Sequence, residues 1–318
     1  MNSAQRKAVG KGFGPDIFHE STADFHPPAD PETCFSDEEE QTYDEFVDMG
    51  KRRPNAQGTG RWKKTRARTK IGLVALTSDK GMTAEMRKAC QILQRFLSSY
   101  LCMDVEHVPN DDVSWIPNHQ AIRIGEFEYA CRMGHPNSSV KANSKRKRTP
   151  GHMDVFSLFD AFKSARFVQS PFFSVLVVTS VGLVEEVDGE FSEVLGRSYP
   201  DRAACVALHK PLKSLLVTAA HELLHSMGLD HCSSFSCVMN AVAGSENWLF
   251  LSPPNLRKLK CFHGIPDSDT DFLLDRYDAL RMVLKSIPGL SSDVVYLDKK
   301  IQAYRSLILQ ENGMTNEN

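Results

Sequence analysis

Residues 203–231 read AACVALHKPLKSLLVTAAHELLHSMGLDH, and the fold class turns on this stretch. Residues 203–208 are an apolar run of strand length. Pro211 follows, where a helix opens and a missing N–H costs nothing. Leu212, Leu215, Leu216, Ala219, Leu223 and Met227 then recur at three- and four-residue spacing, which is a core-facing helical stripe. The polar chemistry sits at the end of that helix. His221 and His225 lie one turn apart, so both imidazoles project from one face and can grip a single metal ion. Glu222 is adjacent to the first of them, where a carboxylate reaches a metal-activated water rather than the metal. Gly228 falls where the helix should stop, because glycine takes the left-handed position after a helix without steric cost. The reversal there returns His231 to complete a three-histidine set. A fourth position stays open for water, the mark of a catalytic rather than a structural zinc. With 11 His and 19 Gly in 318 residues, the added Gly and His raise the odds against a chance HExxH about 500-fold.

The flanking sequence supplies strands and helices in alternation. Residues 70–77 (KIGLVALT) are strand-like, and residues 83–100 carry Met86, Ala89, Cys90, Leu93, Phe96, Leu97 and Tyr100 at helical spacing. Residues 102–108 would be a second strand, and a strand–helix–strand unit implies a partly parallel sheet. Residues 153–162 read as a helix with Phe156, Phe159 and Phe162 on its apolar face. Residues 173–183 are the strongest strand, apolar enough to be buried on both faces. Helices over 269–287 and 292–309 close the chain, separated by Pro288-Gly289. The class is α/β.

Composition removes several classes. The longest apolar run, residues 172–184, has 13 residues interrupted by Ser and Thr, against the roughly 20 a membrane span needs. MNSAQRKAVGKG has no apolar core of a secretory signal, so the expected location is intracellular, cytoplasmic or nuclear. The eight cysteines are then thiols or metal ligands before disulfides. The net charge of −2 conceals segregation: residues 1–50 hold 12 acids and 3 bases, and residues 51–70 hold 9 bases and no acid. Residues 1–69 therefore read as a disordered charged arm, acidic then basic. A second polar tract over 134–151 contains Lys141, Lys145, Arg146, Lys147 and Arg148 and reads as a disordered basic loop. Both basic tracts fit either a solvated linker or a nuclear-localisation or nucleic-acid patch. The expected organisation is an arm at 1–69, a catalytic domain at 70–287, and a C-terminal helix and tail at 288–318.

HExxHxxGxxH with a methionine soon after resembles a metzincin metallopeptidase. Met239 stands eight residues past His231, making Val238-Met239-Asn240 the candidate Met-turn. The compact spacing, with Cys232 directly after the third histidine and Cys237 in Cys-x-Met, resembles the archaemetzincins (archaelysins). The resemblance spans about residues 70–287, with its sharp motifs at 221–259. It implies a zinc-dependent peptidase in which a mixed twisted sheet packs on the active-site helix. It also implies a second, structural zinc held by four cysteines. Here the sequence departs from the pattern. The LRKL signature is present at 256–259, but the preceding CxxC positions are Ser252 and Asn255, neither a good partner for thiolates on zinc. Either Cys232, Cys237, Cys261 and His263 rebuild the site, or the site is lost and packing of Trp248, Leu249 and Phe250 replaces it.

The resulting expectation is metal-assisted hydrolysis of a peptide or protein substrate, with catalytic zinc on His221, His225 and His231 and Glu222 as general base. The substrate would lie along a sheet edge, with 203–208 as the candidate strand and His209 beside it, either touching substrate or merely exposed. Two other classes fit the residues: an inactive zinc-binding scaffold, and a nucleic-acid-associated protein using the basic tracts. Deleting 1–69 would separate the last, since a peptidase should keep its activity without the arm.

Overall fold

The computed structural model describes residues 40–52, 69–78, 81–109, 112–136, 151–165, 171–199, 203–209, 211–240, 249–269 and 271–314. Its elements begin with α1 (Tyr43–Arg52), β1 (Lys70–Leu76), α2 (Ala84–Leu101) and β2 (Asp104–His107). Short strands follow: β3 (Val113–Ile116), β4 (Ala121–Ile124), β5 (Phe127–Ala130), β6 (Met133–Gly134) and β7 (His152–Asp154). Then come α3 (Val155–Ser164), β8 (Phe172–Thr179), β9 (Leu183–Val187), β10 (Glu190–Val194), β11 (Gly196–Tyr199) and β12 (Ala203–Ala207). Four helices complete the chain: α4 (Leu212–Ser226), α5 (Pro253–His263), α6 (Asp271–Lys285) and α7 (Ser291–Met314). Two compact units result, Thr65–Gln94 with Met103–Ser226, and Met1–Lys64 with Arg95–Cys102 and Met227–Asn318.

The first unit holds every described strand. Its main sheet runs β11-β12-β8-β1-β2, with β12, β8, β1 and β2 parallel and β11 antiparallel on the outside. The β1–α2–β2 crossover matches the expected strand–helix–strand unit. Every residue of β12 is buried, as is every residue of β8 after Phe172, which accounts for their near-continuous apolar sequence. α4 packs on β12 and β11. Because β12 is paired on both sides, the 203–208 run is an inner strand, and the edge on that side belongs to β11.

Two expected elements have different limits. The run 173–183 is two strands in different sheets, broken at Ser180–Gly182. The His152 ring occupies the space beside Gly182, where a Cβ would stand 2.1 Å from the ring carbon Cδ2. The helix expected from Met153 begins instead at Val155, because the Asp154 carboxylate caps it, accepting from Ser157 N at 3.2 Å and Ser157 Oγ at 2.7 Å. Its buried face is Val155, Leu158, Phe159, Ala161 and Phe162, and Phe156 is exposed. The sheets β10-β9-β7-β6 and β3-β4-β5 had no clear sequence signal, since their strands are two to five residues long and several carry exposed charges.

The second unit is helical. Val294, Leu297, Ile301 and Tyr304 bury one face of α7, Leu290 is buried just before it, and Arg281–Asp298 and Arg305–Asp278 ion pairs link it to α6. Residues 288–314 therefore share a unit with 227–287. Within the segment read as a disordered arm, residues 40–52 instead carry α1. Thr42 and Glu45 form a capping box, with Glu45 Oε2 accepting from Thr42 N at 2.7 Å and Thr42 Oγ1 accepting from Glu45 N at 3.2 Å. Phe46 is buried. Two aromatics, Tyr43 and Phe46, and one cap among many acids leave too little compositional signal to mark a helix. Residues 1–39, 53–68 and 137–150 and Trp248 lie outside the described residues. Among the described residues, no helix is long and apolar enough to cross a membrane.

Candidate metal centre

α4 is buried almost all round, so its polar end is held rigidly. His221 is 3% exposed and Glu222 7%. The Nε2 atoms of His221 and His225 face each other at 3.0 Å, with their rings edge-on at 85°. Two ring nitrogens this close suit a shared cation: Zn–N bonds of about 2.0–2.1 Å place tetrahedral ligands roughly 3.3 Å apart. Gly228 has φ +92°, the left-handed conformation that ends the helix. The ligand atoms of His221, His225 and His231 lie within 4.8 Å of one another, a triad able to hold a metal ion. Among the described residues it is the sole group of three or more such side chains that does so.

Glu222 turns toward β11. Burial pushes its carboxyl up to about 7, opposed by a hydrogen bond from Ser198 and by the nearby Arg197, while Glu185 adds to the rise. Arg197 is paired to Glu185 at 2.9 Å. Close approach of strand and helix requires glycine at 196. A Cβ there would stand 2.7 Å from Thr218 Cγ2, 3.0 Å from Cys205 O and 3.1 Å from Glu222 Cγ. Gly196→Ala is expected to cost about 1–3 kcal/mol of stability through overpacking, measurable by urea titration, and to displace Glu222. A variant as stable as wild type would show that the strand yields freely.

After His231 the chain forms a compact loop. Cys232 N donates to Met239 O at 2.7 Å, and Asn240 Nδ2 donates to the carbonyls of Cys232 at 2.6 Å and Phe235 at 2.8 Å. Met239, the candidate Met-turn residue, is fully buried. His209 is tied between Ala207 O at 2.7 Å and Ser214 Oγ at 3.1 Å, so both ring nitrogens are engaged at the start of α4.

The candidate second metal set does not assemble. Cys232 Sγ lies 3.6 Å from Ser252 Oγ, and Asn255 Nδ2 donates to Cys237 Sγ at 3.5 Å. Met239 N also donates to Cys237 Sγ, at 3.2 Å. Burial raises the Cys237 thiol, but hydrogen bonds from Cys232, Ser252 and Met239 outweigh it and bring it down to about 7; Cys232 is raised by burial. Cys261 instead hydrogen-bonds Tyr43, and His263 Nε2 meets Leu101 O at 2.8 Å. The reason is helical geometry. Cys261 sits six residues beyond Asn255 on α5, roughly 9 Å along the axis and on another face. Two thiols with a hydroxyl and an amide do not fit a Cys₄-type zinc; Leu249 and Phe250 are buried, and Trp248, the third residue of the packing alternative, lies outside the described residues. Tetrahedral thiolates on zinc stand about 3.8 Å apart, close to these spacings. The double substitution Ser252→Cys, Asn255→Cys is thus expected to add one zinc per chain, measured by atomic emission. No added zinc would mean the four positions do not converge.

Several neighbours of the centre carried no sequence signal: Gly196 and Ser198 on β11, and Glu40, Gln41 and Lys258 around the loop. Nothing in the sequence set Glu40 apart from the other acids of residues 1–50.

Two solved structures resemble the chain. Archaemetzincin from Methanopyrus kandleri is 19% identical, over 63% of this chain and 97% of that one, with a TM-score of 0.39. A zinc-dependent peptidase from Methanocorpusculum labreanum (strain Z) is 15% identical, over 59% and 99%, with a TM-score of 0.33. No family model and no curated protein matches the chain.

Proposed function

We propose that the chain is a zinc-dependent peptidase with a single zinc, held by His221, His225 and His231, and with Glu222 as general base. The observation that carries this reading is the convergence of three imidazoles within 4.8 Å beside a buried carboxylate with its pKa raised. A purely structural three-histidine site gives no reason to bury a carboxyl beside it, whereas a general base has to stand in a secluded site next to the metal. This favours the enzyme over the inactive scaffold.

When bound, zinc supplies Lewis-acid polarisation and makes water acidic enough to ionise near neutral pH. The protein's own groups do the rest. Glu222 takes the proton of the attacking water and returns it to the leaving amine. Ser198 donates to the Glu222 carboxylate and fixes its orientation. An extended substrate would pair with β11, the outer strand beside Glu222, replacing the 203–208 run in that role. Hydrolysis of a peptide library by the zinc-loaded chain, with chelated protein as control, tests the proposal.

A further inference from the structure

We propose that residues 40–52 form a positioning strap, in which Glu40 and Gln41 hold the turn 228–234 so that it presents His231 to the metal. This rests on the three-histidine zinc site proposed above. No helix or strand runs from 227 to 240, so the third histidine sits on irregular backbone whose order must come from cross-links. Gln41 supplies two of them with one side chain. Its Nε2 donates to Gly228 O at 3.1 Å, and its Oε1 accepts from Asp230 N at 3.4 Å. These bonds start at the carbonyl of the left-handed glycine, bracket Leu229 and reach the residue before His231. Glu40 grips the other side, accepting from Cys232 Sγ at 3.2 Å, Ser234 N at 3.1 Å and Ser233 Oγ at 3.4 Å. His231 thus lies between two clamped residues.

The strap has fastenings of its own, away from the turn. Lys258 is buried and Nζ donates to Gln41 O at 2.6 Å. The Arg257 guanidinium lies 3.7 Å over the Tyr43 ring, and the capping box starts α1 immediately after Gln41. A side chain that orients the backbone carrying a ligand acts as an outer-shell partner, and losing one typically weakens metal binding about 10- to 100-fold. Deleting 1–69 would consequently remove part of the site and is no neutral truncation.

The test uses the full chain with Gln41→Ala and, separately, Glu40→Gln, which keeps the shape and removes the charge. Zinc affinity is read by competition with a chromophoric chelator, the cobalt-substituted site by its visible absorption, and residues 228–234 by amide hydrogen exchange without metal. Both variants should bind zinc about 10- to 100-fold more weakly, change the cobalt spectrum and exchange faster at 228–234. A merely structural effect would lower the melting temperature and leave the cobalt spectrum alone. If Gln41→Ala does not fold, Glu40→Gln decides in the same way. Wild-type affinity, spectrum and exchange in the folded variants would overturn the strap alone. A wild-type chain with no zinc dependent on His231 would overturn the metal reading, and the strap with it.

Discussion

Glu222→Gln is expected to stop peptide hydrolysis while leaving the zinc in place. The substitution keeps the size of the side chain and touches none of the three imidazoles, so metal content should stay at wild-type level. General-base catalysis contributes about 100- to 10,000-fold, so kcat should fall by that factor with KM little changed. Turnover on a cleavable peptide and zinc per chain, measured on the same preparation, check both halves. Undiminished turnover would remove Glu222 from the mechanism. The same substitution has a consequence for folding. In the metal-free chain, burial raises the Glu222 carboxyl from 4.5 to about 7. A carboxyl raised on folding contributes stability that is full below its unfolded value and lost as pH rises through its folded one. Relative to Glu222→Gln, metal-free wild type should therefore lose stability between about pH 4.5 and 7, by roughly 3 kcal/mol at most. Urea titrations at pH 5 and pH 8 read this directly. A gap that does not grow with pH would mean that the carboxyl is better solvated than its 7% exposure implies.

His231→Ala should have the second large effect, the loss of the metal itself. His221 and His225 face each other on α4, but two imidazoles leave a zinc half-liganded, and three protein ligands are the rule at catalytic sites. Zinc per chain should fall from about one to near none after dialysis. The loss should also appear in stability. A ligand present at about 100 times its dissociation constant stabilises the folded state by about 2.7 kcal/mol, so wild type should melt higher with zinc and His231→Ala should not. A variant that keeps its zinc through dialysis would show that the third ligand lies elsewhere.

The strands β1, β2, β8 and β12 and the helices α2 and α4 were legible in the sequence, whereas the outer strand β11 (GRSY) was not. β1, β8 and β12 are short apolar runs, and α2 repeats its apolar residues every three or four positions. Residues 221–231 were legible because ligand chemistry demands fixed residue types at fixed spacing. What escaped has no period to read. The strands β3 to β7 are two to four residues long, and α1 holds one buried aromatic among acids. Gly196, Ser198, Glu40 and Gln41 matter through contacts distant in sequence; Gln41 and Gly228 are 187 residues apart. Spacing within a motif cannot encode such partners. The cysteines show both sides of this limit. The sequence located the departure at Ser252 and Asn255, and the fold shows these two facing Cys232 and Cys237 while Cys261 and His263 turn to other partners.

The central claim is most directly tested by stripping the purified full chain with a chelator and titrating zinc back while following cleavage of a peptide library. The proposal requires hydrolysis to appear in proportion to bound zinc, to saturate at one zinc per chain, and to stay absent in zinc-loaded Glu222→Gln. A fully zinc-loaded wild-type chain that cleaves nothing, or cleavage that persists without zinc, would contradict it.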